Sequence, residues 1–153
     1  MTVTARLAQL GITLPAVAAP VASYVPAVRS GVHVFTSGQL PMVNGSLPAV
    51  GKVGGQITPE AAQGYARTCA LNALAAIDAL VGIDRVTRVV KVIGFVASAD
   101  GFTGQPGVVN GASELLGEIF GDAGAHARSA VGVVELPLGA PVEVELIVEV
   151  ADD

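Results

Sequence analysis

The sequence predicts one α+β domain, and three observations carry that prediction. Residues 142–150 alternate strictly. Val142, Val144, Leu146, Val148 and Val150 share one face and Glu143, Glu145, Ile147 and Glu149 the other, the period of a strand with one buried side. Residues 58–82 carry small or apolar side chains in steps of three and four, the period of a helix with one buried stripe. Further β-branched runs and one more helical stretch complete the order β-β-α-β-α-β-β, with no repeat, linker or low-complexity tract between them. A chain of 153 residues suits one domain, with its helices layered on a single face of the sheet.

Each element has a local cause. Residues 2–10 make one or two helical turns, stopped by Gly11 and Pro15. From Tyr24 to Pro41 the run YVPAVRSGVHVFTSGQLP reads as two short strands around a turn at Ser30-Gly31; Val32, Val34 and Ser37 to Gln39 fall in the second strand and its exit. Residues 42–57 are glycine-rich and read as a hairpin or loop. GKVGG lacks the spacing and the Ser or Thr of a phosphate-binding loop. Thr58 can cap a helix, Pro59 suits its first position, and Glu60 sits at the positive end of its dipole. The stripe then runs through Ala62, Tyr65, Ala66, Cys69, Ala73, Leu74, Ile77 and Leu80 to a stop at Gly82, and its alanines imply close packing on a sheet. Val86 to Val96 is a buried strand. A second helix spans about Pro106 to Phe120, with Val109, Leu115, Leu116, Ile119 and Phe120 on its buried side and Gly121 as its stop. Ser129 to Leu136 is another strand, and residues 137–141 turn the chain into the last one.

Composition narrows the functional classes. Apolar residues make up 52% of the chain and charged residues 14%, where an average soluble domain has roughly 25% charged. So thin a charged coat, with both helices on one side, predicts that the other sheet face is covered by further copies of the chain. The net charge of −5 and the scattered Lys and Arg argue against a grip on nucleic acid or on an anionic membrane surface. Cys69 is the only cysteine, which excludes an intrachain disulfide and an all-cysteine metal site. Arg6 followed by an apolar run resembles a signal peptide, but Gln9, Gly11, Pro15 and Pro20 break the run. No window approaches the ~20 uninterrupted apolar residues of a membrane span, and the expectation is a soluble, cytoplasmic chain.

Two residue types stand out as chemistry. Glu143, Glu145 and Glu149 share one face of the final strand, the first two about 7 Å apart, and periodicity does not choose among the three. They serve either as a solvated face or, if one sits in a partly enclosed cleft, as a carboxylate tuned for acid–base work. Arg128 follows GDAGAHA in a chain with few cations, and its fork can hold a carboxylate bidentately or pair with one of the glutamates. His33 and His126 lack partners at metal-ligand spacing, Cys69 falls on the buried stripe, and neither Ser37 nor Ser129 sits in a nucleophile elbow.

The segments YVPAVRSGVHVFTSGQLP, NGASELLGEIFGDAGAHARS and SAVGVVELPLGAPVEVELIVEV together resemble the Rid family, the reactive intermediate deaminases also called YjgF-like or L-PSP proteins. The most specific piece is the A-R-S strand followed by L-P and the V-E-V-E strand. The resemblance covers residues 22–150 as the core of a single domain, with 1–21 as an N-terminal extension. It implies a chorismate-mutase-like fold, a homotrimer with clefts between subunits, and cofactor-free hydrolysis of 2-imino or enamine acids to 2-keto acids and ammonia. By the same resemblance, Arg128 grips the substrate carboxylate and Glu143 positions the water. Tyr24, Ser37, Gly38 and Asn110 line the cleft, and backbone groups near Gly38 and Ala130 complete the water site. One position departs: the family commonly has cysteine two residues after the arginine, and this chain has Ala130. Alanine serves there if the position contributes its backbone carbonyl and small volume.

The resemblance thus implies a 2-iminobutanoate/2-iminopropanoate-type deaminase acting in metabolite damage control. The alternative is a non-catalytic binder of small carboxylate metabolites in the same cleft. The ribonuclease activity attached to one family name fits poorly with a net charge of −5 and no pair of neighbouring histidines.

Overall fold

A computed structural model describes residues 1–153. The elements in order are α1 (Val3–Gln9), β1 (Ala27–Ser30), β2 (His33–Thr36), α2 (Pro59–Val81), β3 (Val86–Ala97), α3 (Gln105–Phe120), β4 (Ala127–Val133) and β5 (Val142–Val150). The sheet runs β1-β2-β5-β3-β4, with β3 and β4 parallel and every other pair antiparallel. This is the predicted α+β fold, and the helical turns expected over residues 2–10 form α1. No helix is long and apolar enough to cross a membrane.

β5 is the central strand, and its alternation is realised in full. Val142, Val144, Leu146, Val148 and Val150 are buried under the helices, while Glu143, Glu145, Ile147 and Glu149 take the other face. The Thr58 hydroxyl accepts from the Ala61 N–H to open α2, and Pro59 fills its first turn. Ala62, Ala66, Ala70 and Ala73 are wholly buried, so α2 lies close against β5. α3 covers β3 and β4 in the same layer. It approaches so closely that a methyl group on Gly94 of β3 would lie 2.5 Å from Val109 Cγ2.

Three details differ from the sequence expectation. Leu80 is 45% exposed, because the last turn of α2 runs past the sheet that covers the rest of its stripe. Phe120 is only half-buried at the end of α3. β4 starts two residues earlier than predicted and stops at Val133, not Leu136. It is an edge strand whose only partner, β3, ends at Ala97 opposite Val133, so Val134 to Leu136 have no ladder to join. Arg128 therefore lies inside the strand.

α1 is tied into the body. Leu7 is buried in the core, the Thr4 backbone N–H and hydroxyl donate to Asp84 (2.7 and 3.0 Å), and the Arg6 side chain donates to the Glu118 carbonyl. The face of the sheet opposite the helices carries no helix. Val28, Phe35 and Val131 stand on it 50%, 41% and 46% exposed.

The crossing of α2 and α3 turns on Gly111. A Cβ there would overlap the Gln63 backbone carbonyl, and the Gln63 amide donates to the Gly107 carbonyl at 2.8 Å across the same contact. Gly111→Ala is expected to force the helices apart and to cost about 1–3 kcal/mol. Urea denaturation at constant m-value measures this.

Candidate functional site

Glu143 is placed by its neighbours on both sides. On β3 it faces Phe95, and on the other side the chain leaving β2 is drawn along β5. The Thr36 hydroxyl accepts the Leu146 N–H at 2.9 Å, and Gln39 and Val144 exchange backbone hydrogen bonds of 2.8 and 3.1 Å. Between these anchors the segment swings Gly38 directly against the Glu143 carboxylate, where any side chain would overlap Oε1. A side chain at position 38 would displace the Glu143 carboxylate from this position. The Ser37 hydroxyl donates to the Val25 carbonyl at 2.6 Å, which fixes the loop and leaves its lone pairs free. On the far side, the buried Asn72 of α2 donates to the carbonyls of Leu40 and Met42 (3.0 and 3.1 Å) and pins the cavity's floor to the helix.

The result is a cavity of about 440 Å³ bordered by Tyr24, Ser37, Gly38, Gln39, Pro137 and Glu143. That size suits a small organic ligand. Burial pushes the Glu143 carboxyl above its ordinary value, and the Glu145 charge adds to the push. Burial raises Glu145 as well. A carboxylate poised in this way beside a cavity is suited to taking and returning a proton. Cys69, behind it, is wholly buried and donates weakly to the Val142 carbonyl at 3.7 Å. Desolvation and the Glu143 charge hold its thiol well above the usual range, so it packs as a neutral group.

Arg128 stands elsewhere. It pairs in register with Val92, whose side chain is buried under the helices, so the guanidinium reaches over the helix side of the sheet edge. There Nη1 donates to Asn110 Oδ1 at 2.7 Å and Ser113 Oγ at 3.2 Å, and Nη2 donates to the Pro106 carbonyl at 3.2 Å. No carboxylate comes within ion-pair reach of it, so the pairing with one of the chain's own glutamates is not formed. Ser113 is itself held: His126 Nδ1 bonds the Gly124 carbonyl at 2.6 Å and Nε2 lies 2.8 Å from Ser113 Oγ. Donation by Nδ1 leaves Nε2 to accept the serine proton, so the serine lone pairs face the guanidinium.

The predicted residues therefore form two groups. Tyr24, Ser37, Gly38 and Glu143 come together in the cavity. Arg128 and Asn110 come together at the β4 edge, with Ala130 on the same face of the strand as Arg128 and packed against the core. Within one chain the two groups do not meet. Glu143 projects from one face of the sheet and Arg128 from the other, and two strand spacings across by three residues along put their Cα atoms about 14 Å apart. Gln39, Ser113 and His126 were missed from the sequence. Gln39 directly follows the Ser-Gly pair, and an i, i+3 relation between Asn110 and Ser113 on a helix was the available signal for the second. The His126 contact depends on how the chain turns after α3.

The family described as "YjgF/chorismate mutase-like, putative endoribonuclease" matches residues 4–150. The chain belongs to this YjgF family. Protein TCP17 of Trypanosoma cruzi is 48% identical over 149 residues, 96% of this chain and 93% of that protein. The crystal structure of Atu1372 from Agrobacterium tumefaciens is 43% identical, covers 99% of this chain and 94% of its own, and superposes with a TM-score of 0.88. TdcF of E. coli, solved with bound serine, is 27% identical over 91% of this chain and 96% of its own, with a TM-score of 0.65. The resemblance drawn from the A-R-S and V-E-V-E segments is thus borne out at the level of family and fold. The YjgF match begins within α1, in keeping with the burial of Leu7 in the core.

A carboxyl whose folded value is raised binds its proton more tightly in the native state, so stability falls as pH rises from the ordinary carboxylate range through the raised value. Glu143→Gln removes that dependence. Relative to this variant, the parent chain is expected to gain thermal stability as pH falls from 7 towards 5, read from melting curves at matched ionic strength.

Proposed function

We propose that the chain hydrolyses 2-imino acids, and the enamines in equilibrium with them, to 2-oxo acids and ammonia, in clefts formed where copies of the chain meet. The observation that carries the reading is the Arg128 guanidinium, held in place by neutral oxygens of Asn110, Ser113 and Pro106 and by no carboxylate. Such a cation is preorganised for a ligand's carboxylate and has its charge unspent. The second component is the Glu143 carboxyl beside an open cavity.

In this mechanism Arg128 holds the substrate carboxylate, and Glu143 orients a water on C2 of the C=N bond. Starting from the protonated imine (C=NH2+), Glu143 takes a proton as the water oxygen adds to C2, and then passes that proton to the resulting amine. The C2–N bond then breaks, ammonia leaves with the electron pair, and loss of the remaining hydroxyl proton gives the 2-oxo acid. One water is consumed, nothing is oxidised or reduced, and every proton step stays within reach of a single carboxyl.

Because the two groups lie on opposite faces of one chain, the reading requires Arg128 from a neighbouring copy to approach Glu143. The apolar face bearing Val28, Phe35 and Val131 is the surface on which copies would meet. A homotrimer is proposed, acting on imines released in the cytoplasm, and light scattering is expected to give three times the 15.2 kDa chain mass. A monomer would overturn the shared-cleft reading. Serine in TdcF favours a second reading, a binder of small carboxylates without turnover.

The two separate on variants, assayed by 2-oxo acid release from imines generated in situ. Arg128→Ala is expected to raise KM on the order of 10- to 100-fold, as loss of a charged hydrogen-bonded contact does. Glu143→Gln is expected to lower kcat by about 100-fold or more while ligand binding persists. Release no faster than the spontaneous rate, with binding that still depends on Arg128, would establish the binder instead.

A further inference from the structure

The segment between α1 and β1 has a role that the two site groups do not account for. Residues 14–22 read LPAVAAPVA, without one polar side chain. From Thr13 to Pro20 the chain makes no hydrogen bond to the rest of the molecule. Its hydrogen-bonded anchors lie at its ends, and Leu14 packs against the core near the first of them. The Ile12 N–H donates to Leu7, and the Val21 N–H donates to Tyr24 Oη at 3.2 Å. Between these anchors it passes over the Glu143 cavity as a strap, and Ala18, Ala19, Pro20 and Val21 form one wall of it. The same four residues, with Met42, also border a second cavity of about 760 Å³ against α2. The strap thus runs along the Glu143 site on one side and an apolar recess on the other.

We infer that this strap sets the substrate class, selecting 2-imino acids with apolar side chains of about three or more carbons over small or acidic ones. The inference rests on the proposed chemistry at Glu143. Two physical points support it. The cavity is several times larger than a three-carbon acid needs, so a small substrate leaves apolar wall exposed to water. The only charged side chain that this chain gives to the cavity wall is Glu143, so with the neighbouring copy's arginine engaged by the first carboxylate, a second one on the substrate would meet a like charge.

The link to Tyr24 gives the strap a second effect. The Tyr24 hydroxyl borders the site while accepting from the strap backbone, so an occupant that seats the strap also seats the tyrosine.

Two measurements on the full-length chain separate the strap from the chemistry. The first is binding of 2-oxo acids, followed by calorimetry: pyruvate, 2-oxopentanoate, 4-methyl-2-oxopentanoate and oxaloacetate. Affinity is expected to rise about fourfold for each added methylene, with oxaloacetate weakest. Ala19→Asp and, more conservatively, Ala18→Ser are expected to collapse the ratio between 4-methyl-2-oxopentanoate and pyruvate. Both residues lie in a segment with no hydrogen bonds to lose, so folding is not at stake. The second is kcat/KM for the matching imines. A flat or inverted chain-length series in binding, or binding of none of the acids, overturns the strap inference. A rising series in binding with no imine hydrolysed above the spontaneous rate overturns the chemistry and leaves the strap's selectivity standing. A rising series in both, lost in the strap variants, supports the two together.

Discussion

The rest of this structure depends on the alternation of the last strand. β5 lies at the centre of the sheet, pairs with both neighbours, and buries every second side chain in the helix layer, chiefly under α2. A strand has a side-chain period of two, so a slip of one residue would exchange its faces and send three glutamates into the helix layer. Burying unpaired carboxylates is costly enough to forbid that register. The same constraint that fixes the core therefore fixes Glu143 on the opposite face, at the end of the strand where the segment leaving β2 closes over it. Gly38 completes the arrangement, because only the absence of a side chain lets backbone pass so near the carboxylate.

The second group is set by the β3–β4 ladder. A parallel register that matches Val92 with Arg128 sends the arginine towards α3, where its two amino groups find Asn110, Ser113 and a helix-start carbonyl. His126 acts one step further out, holding Ser113 from the turn after the helix. Three neutral contacts orient a guanidinium without neutralising it. A carboxylate in their place would have quenched the charge and left a ligand nothing to bind.

The elements most legible in the sequence are those whose limits are written in local chemistry. β5 has its predicted bounds because its alternation is unbroken, and α2 starts and stops where Thr58-Pro59 and Gly82 require. β4 was displaced because an edge strand ends where its partner ends, and the partner's length is not written in the edge strand's own residues. Leu80 fits the helical stripe perfectly well yet faces water, since periodicity does not say how far the sheet extends. Resemblance picks out the candidate site residues, but it does not show that one chain holds them on two faces. That separation follows from one parallel register, a tertiary fact. The apolar stretch behind Arg6 invites comparison with a signal sequence, and the position of its later part, residues 14–22, over a cavity depends on where α1 docks.

The opposed faces have a consequence that belongs to genetics. A chain lacking Arg128 still carries an intact Glu143 group, and a chain lacking Glu143 still carries an intact arginine group. If the working site is shared between subunits as proposed, two defective alleles of this kind in one cell would restore function by mixing, since some clefts would draw a sound half from each. A single defective allele beside a sound one would spoil only part of the clefts and would behave as recessive. Lesions on the apolar face would not complement in this way, because they would remove the meeting of subunits itself.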